Sequence, residues 1–442
     1  MKTDPRLVRR GLPCLLGLLV AAGPPVARAD NLAADIAIDY PRLEALFHHF
    51  HANPELSMQE VKTSERIAAE LEAEGFEVTR GIAKTGLVGI LRNGDGPVVM
   101  IRADMDALPV QEKTGLAYAS TVRQVNLDGV DMPVMHACGH DMHVTSLIGV
   151  ARQLKARKKD WRGTVMLLAQ PAEEYLDGAY SMVADNLYDR VGRPDYALAL
   201  HVISKIPAGK IAFTGGTMFS GADTVSIKVH GIATHGAAPH LGRDPIVVAS
   251  QIVLALQTIV TREIAPLEPA IITVGSLHSG TAPNIISDNA MLEITVRFNS
   301  EATGNLLLKS IERVAINTAR AAGLPEDKLP EVRVAPNRSP VTANDPELAR
   351  RLRAAMEARM PATSFTEWQQ TDMGAEDFPY LVNVTPPIPS VYFMVGGTPQ
   401  AELDAGNWAG HHSPLFKIEP EASIKGGVEA MTVAALELLG RP

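Results

Sequence analysis

Thr164-Val165-Met166-Leu167-Leu168-Ala169 is apolar almost throughout and then turns polar in Gln170-Pro171-Ala172-Glu173-Glu174. Tyr196-Ala197-Leu198-Ala199-Leu200-His201-Val202 repeats the pattern, with a histidine near its end. A strand with one wet face alternates polar and apolar residues, whereas a nearly continuous apolar run suits a sheet covered on both faces. Working outward, Val144, Leu147, Ile148, Ala151 and Leu154 form a helical stripe that predicts a helix over Asp141–Lys158. Strands are predicted at Leu87–Leu91 and Val98–Arg102, either side of the turn Asn93-Gly94-Asp95-Gly96. From Asp35 to Gly75 the period is helical. This order predicts a three-layer α/β domain around a central, mostly parallel sheet.

Near Gly215-Gly216 the style changes. Strand Thr224–Val229 is followed by a helix opened by Asp244 as cap and Pro245 at its first position. Strands Ile271–Gly275 and Ala290–Phe298, a helix over Glu301–Ala321 and strand Glu331–Val334 complete a β-α-β-β-α-β order. That is the split arrangement of a small ferredoxin-like domain. A second capped helix at Asp345-Pro346 and strand Ser390–Val395 return to the first style, so the small domain reads as an insertion. The expected division is a leader at 1–29, a catalytic domain in two parts, 30–216 and 338–442, and an inserted lid at 217–337. A chain of 442 residues exceeds the roughly 250–300 that one core supports.

Lys2, Arg6, Arg9 and Arg10, the apolar run Gly11–Ala22 and the small residues before Ala29 have the layout of a secretory signal peptide. The expected product is exported, periplasmic or secreted, and free of the membrane once the leader is cleaved. Cleavage after Ala29 removes five basic residues and one acidic one, taking the formal charge from −9 to −13. An acidic balance argues against a nucleic-acid partner. Cys14 leaves with the leader, so Cys138 remains without a disulfide partner and is expected to be buried or metal-bound.

The polar residues gather where the predicted strands end: Asp104 and Asp106 after the first, Glu173 and Glu174 after the second, His201 on the third. Ligands of open α/β sheets bind at such carboxyl ends. Between the first two lies His136-Ala137-Cys138-Gly139-His140-Asp141-Met142-His143, rich in thiol, imidazole and carboxylate, the donors of zinc and its neighbours. Ala137 rules out the helical zinc motif that needs glutamate after its first histidine, and Gly139 favours a loop with Cys138 and His140 turned to one side. Adjacent carboxylates at a strand end point different ways, so one of Glu173 and Glu174 can bind a metal while the other faces substrate. His48, His49 and His51 read as surface or helix-end residues.

RADMDALP (Arg102–Pro109), HACGHDMH (His136–His143), QPAEE (Gln170–Glu174), His201, HGAAPH (His235–His240), GAEDF (Gly374–Phe378) and HSP (His412–Pro414) together resemble the aminoacylase/carboxypeptidase metallopeptidase family. The nearest branch is the amidohydrolases that include hippurate hydrolase and indole-3-acetyl-amino-acid hydrolases, and the resemblance spans nearly all of the chain after the leader. It implies a catalytic α/β domain with an inserted ferredoxin-like lid through which a homodimer forms. It also implies two divalent metal ions, zinc or manganese. Cys138 would bridge both, with His140 and Glu174 on one and His201 and His412 on the other. Glu173 would be the general base, Asp106 the carboxylate that orients the site, and His235 the lid histidine that stabilises the oxyanion, often from the partner subunit. Asn284 and Arg297 would grip the substrate's carboxylate or acyl oxygen. Val296-Arg297-Phe298 departs from the Arg-Thr-aromatic run usual in relatives, and His411 beside His412 leaves the last ligand open between them.

The implied activity is hydrolysis of the amide bond of an N-acyl amino acid, of hippurate, N-acetyl or indole-acetyl type, by metal-activated water with Glu173 as base. The alternatives are a dipeptidase or carboxypeptidase of the same family acting on short peptides, and an exported metal- or solute-binding protein.

Overall fold

Seven strands form the main sheet, in the order Glu77–Ile82, Gly86–Asn93, Gly163–Gln170, Val98–Asp104, Tyr196–Pro207, Ser390–Thr398 and Ile211–Ala212. The computed structural model describes residues 31–441, so the expected leader and Cys14 lie outside the described residues. The four middle strands are parallel, and the flanking strands pair antiparallel. Successive side chains go to opposite faces, as the pleat requires. Val165, Leu167, Leu198, Leu200, Val391 and Phe393 share one core with helices Leu32–Ala52, Val61–Ala73, His140–Ala156, Pro346–Glu357 and Pro420–Leu438. Met166, Leu168, Ala197, Ala199 and Tyr392 meet helices Gly178–Ala184, Leu187–Val191 and Pro379–Val382 on the other face. The three layers follow directly from strands that are apolar on both sides.

The helical stretch expected from Asp35, with its second helix around Ser64–Leu71, is found as helices Leu32–Ala52 and Val61–Ala73, the first ended at Asn53 with Pro54 following. The strand expected to stop at Val202 continues to Pro207, because Ser390–Thr398 keeps pairing with it as far as Thr398 opposite Pro207. That extension carries His201, Ile203 and Lys205 along one side of the strand and builds a wall beyond the main sheet.

The second sheet has the order Ala270–Ser279, Asn289–Phe298, Gly221–His230, Glu331–Val334, all antiparallel. Helices Pro245–Arg262 and Glu301–Ala321 cover one face, giving the β-α-β-β-α-β lid with a core of its own. Asp244 accepts the N–H of Ile246, and Ser300 that of Thr303, so both helices are capped by the side chains before them. The chain enters and leaves the lid side by side: Ala222 and Ser339 exchange both backbone hydrogen bonds, each 2.8 Å.

Candidate metal and catalytic centre

The parallel strands of the main sheet end on one edge, where they deliver Asp104, Asp106, Glu173, Glu174 and His201. The loop before helix His140–Ala156 adds Cys138, and the Gly/Pro-rich segment ahead of the last helix adds His411 and His412. Gly139 makes the first of these loops possible. Its φ of 88° is left-handed, and a Cβ there would lie 2.3 Å from Val202 Cγ1. This turn leaves Cys138 outside the helix and puts His140 in its first turn.

Cys138, His140 and His201 form one group of potential ligands, and Cys138, Glu174 and His412 another. Cys138 is common to both. Around Cys138, His140 falls with His201 and Glu174 with His412, while His140 also groups with Glu173 and Glu174, as the expected pairing of His140 with Glu174 requires. Local geometry explains it. Strand Tyr196–Pro207 brings His201 Nε2 to 3.5 Å from Cys138 Sγ, while His412 Nε2 comes to 3.3 Å from Glu174 Oε2. The ambiguity between the last two histidines also resolves in space. His411 accepts the Ser204 N–H at Nε2, so its Nδ1 donates toward Cys138 Sγ at 3.7 Å, whereas His412, turned by a φ of 65°, joins Glu174.

These donors fit metal ions. His140 gives its Nδ1 hydrogen to the Asp106 carbonyl at 2.9 Å, and His201 gives its own to the Val202 carbonyl at 2.6 Å. Both rings therefore present a bare Nε2 to the cluster. His140 Nε2 and Glu174 Oε1 are buried without any hydrogen-bond partner, an arrangement that costs free energy unless a cation takes those lone pairs. Burial and the nearby Glu174 and Glu173 carboxylates push the Cys138 thiol well above its usual range, and burial moves Glu174 up to about 7. Positive charge among them would reverse both trends.

Asp106 holds the two acidic residues in place. Its Oδ1 accepts the N–H of Glu173 at 3.2 Å, its Oδ2 that of Glu174 at 3.1 Å, and Ser57 Oγ donates to it at 2.6 Å. Ala172, at a left-handed φ of 49°, precedes the pair, and both carboxylates come to 3.9 Å from His140 Nε2. Glu173 is buried beside His140 and Glu174, and burial, then the Glu376 carboxylate, raises its pKa well above the usual range.

A cavity of about 800 Å³ opens from this cluster and runs between the sheet and the lid. Cys138, Glu173, Glu174, His201 and His412 line its floor, and Arg297 with Thr295 its lid side. Arg297 is half-buried, bonds only to Thr295 Oγ1 at 3.2 Å, and has no carboxylate within ion-pair distance among the described residues. His235 and Asn284 do not line the cavity. They lie together on an exposed end of the lid, where His235 pairs with Ile285 and Gly236 N–H donates to Asn284 O.

Several polar residues behind the cluster escaped the sequence reading. Arg102 is wholly buried and binds Asp104 (2.6 Å), Glu376 (2.7 Å), Gln170 (2.8 Å) and Asp377 (3.3 Å). His143 pairs with Asp104 at 2.5 Å. His51 does end its helix, yet it is buried, between Asp141 at 2.7 Å and Glu112 at 3.1 Å. The available signal was the ratio of charges in RADMDALP and GAEDF, where an arginine and four acids sit in otherwise apolar surroundings.

The sequence profile of peptidase family M20/M25/M40 matches residues 100–437. An IAA-amino acid hydrolase from Arabidopsis thaliana is 33% identical over 377 residues, 84% of this chain and 79% of the relative. Hippurate hydrolase from Campylobacter jejuni is 36% identical over 319 residues, 72% of this chain and 79% of the relative. Among solved structures, a dinuclear metal-binding peptidase of the M20 family from Bacillus subtilis superposes with a TM-score of 0.73 at 29% identity, covering 91% of this chain and 100% of that one. With the profile spanning most of the chain and relatives matched over most of their length, the chain belongs to the peptidase family M20/M25/M40.

Proposed function

We propose that the chain is a metal-dependent amidohydrolase that cleaves the amide bond of N-acyl amino acids, using two divalent metal ions held by Cys138, His140, His201, Glu174 and His412. The observation that carries this reading is Glu173, a carboxylate on the cavity floor that belongs to neither of the two ligand groups built on Cys138. A protein that only binds metal or solute has no use for it. When bound, the cations polarise the scissile carbonyl and make water a stronger acid. Glu173 then takes the proton of the attacking water and returns it to the departing nitrogen as the C–N bond breaks. Asp106 keeps that carboxylate and Glu174 in register, and Arg297 meets the amino acid's carboxylate on the lid side.

His235 and Asn284 lie outside this chain's cavity, and a homodimer through the lid would offer them the cavity of a second copy. Helix Pro245–Arg262 buries Val248, Ile252, Leu256 and Ile259 in the lid core but exposes Ile246, Val247 and Leu254, the last 72% exposed. Strand Ala270–Ser279 beside it is a sheet edge bearing the exposed Leu277. Residues 1–29 are read as an export leader, which N-terminal sequencing of the exported protein checks.

The decisive experiment is metal analysis of the purified protein joined to a panel of N-acetyl amino acids, hippurate, indole-acetyl amino acids and dipeptides. About two metal ions per chain and preferential hydrolysis of the N-acyl compounds are expected. Preferential dipeptide cleavage would make it a peptidase instead, and retained metal without hydrolysis would make it a binding protein.

A further inference from the structure

His143 lies one turn after His140 on the same helix, and its ring is buried with both nitrogens engaged. Nδ1 stands 2.5 Å from Asp104 Oδ1, and Nε2 is 2.9 Å from the backbone N–H of Val202. A backbone N–H only donates, so Nε2 is bare and Nδ1 carries the hydrogen given to Asp104. Val202, anchored through its N–H, offers its carbonyl to His201 Nδ1 at 2.6 Å. His201 therefore keeps its hydrogen on Nδ1 and turns a bare Nε2 toward Cys138 Sγ. Each oxygen of Asp104 has a partner: Oδ1 takes His143, and Oδ2 takes Arg102 at 2.6 Å, whose guanidinium is also bound by Glu376, Asp377 and Gln170. Asp104 Oδ2 lies 3.8 Å from His140 Nε2, farther than from its own hydrogen-bond partner Arg102.

We propose that Asp104 and His143 are positioning residues for the metal ion held by Cys138, His140 and His201, acting through Val202 to fix which nitrogen of His201 is bare. Outer hydrogen bonds of this kind set the tautomer and orientation of a histidine ligand. The inference rests on the two-metal reading given above.

Asp104→Asn tests it with little change of shape. Arg102 demands an oxygen, so the carboxamide turns its NH2 toward His143 Nδ1. The His143 proton then moves to Nε2, where it opposes the Val202 N–H. Zn2+ bound per chain is measured on the full-length protein equilibrated in zinc-buffered solutions, with urea unfolding of the same samples. One of the two zinc sites should weaken by about 10–100-fold while the other holds. His143→Gln keeps a donor and an acceptor on one amide and should retain more zinc at that site than the apolar His143→Leu, which also serves if Asp104→Asn does not fold. Two unchanged zinc affinities in Asp104→Asn would overturn the proposal. So would equal weakening at both sites in step with lost stability, or His143→Gln no better than His143→Leu. A wild-type chain that takes up fewer than two zinc ions would remove the two-metal reading and the inference with it.

Discussion

Glu173 and Glu174 are chemically identical neighbours with different surroundings. Both line the cavity and both backbone N–H groups are tied to the one Asp106 carboxylate, yet Glu174 faces His412 while Glu173 lies against Glu376 and Asp377. Glu173→Gln keeps the backbone bonds and the volume and removes only the proton acceptor. Its turnover should fall by at least about 10²–10⁴-fold with metal content unchanged, since that is the usual worth of a general base; steady-state kinetics and metal analysis on one preparation decide it. More than a few per cent residual activity would move the base elsewhere. At this scale the ligands were legible because thiol, imidazole and carboxylate crowd short motifs at strand ends. Their pairing was not, since Cys138 meets His411 273 residues later and Arg102 meets Glu376 274 residues later. Nothing local in the sequence states such distances.

Helix His140–Ala156 is held at its start by two devices. Gly139 supplies the left-handed turn, and Gly139→Ala would add both backbone strain and the contact with Val202. It should destabilise the protein by at least about 2 kcal/mol in urea unfolding and lower metal retention. The second device is His51, at the end of helix Leu32–Ala52. Burial pulls its pKa down, but the hydrogen bonds it donates to Asp141 and Glu112 outweigh this and raise it from 6.5 to about 9. A group raised on folding contributes stability that is complete below about pH 6.5 and lost as pH rises through 9. His51→Gln should therefore lose stability most at pH 6, by up to about 3 kcal/mol, and show a flatter profile between pH 6.5 and 9. An unchanged slope in denaturation measured across that range would deny His51 the role. The elements themselves were readable from apolar runs and caps. The extension of the strand to Pro207 was not, because it depends on a partner strand nearly 200 residues downstream.

Across the whole molecule, the exposed apolar side of the lid helix is the feature with the most to explain. Leu254→Glu places a charge in the middle of it without touching the lid core. Sedimentation should show the wild type as a dimer and the variant as a monomer. If His235 works across the interface, the monomer should also lose at least about tenfold in kcat while keeping its metal. A monomeric variant with full activity would confine the reaction to one chain. The β-α-β-β-α-β order made the lid legible in sequence, but it carried no sign that its end residues His235 and Asn284 lie outside this chain's cavity.

The insertion has a further consequence in time. Cys138, His140, Glu174 and His201 precede the lid in the chain, while His412 follows it, and so does Ser390–Thr398, which lies inside the main sheet against Tyr196–Pro207. During synthesis the lid can close its separate core first, because its two crossings lie together. The main sheet must wait with a gap until the last strand and helix emerge from the ribosome. A nascent chain stalled anywhere in the lid would hold four of the five ligands and no finished pocket. The ligand group that needs His412 therefore forms only once the segment beyond the lid is present.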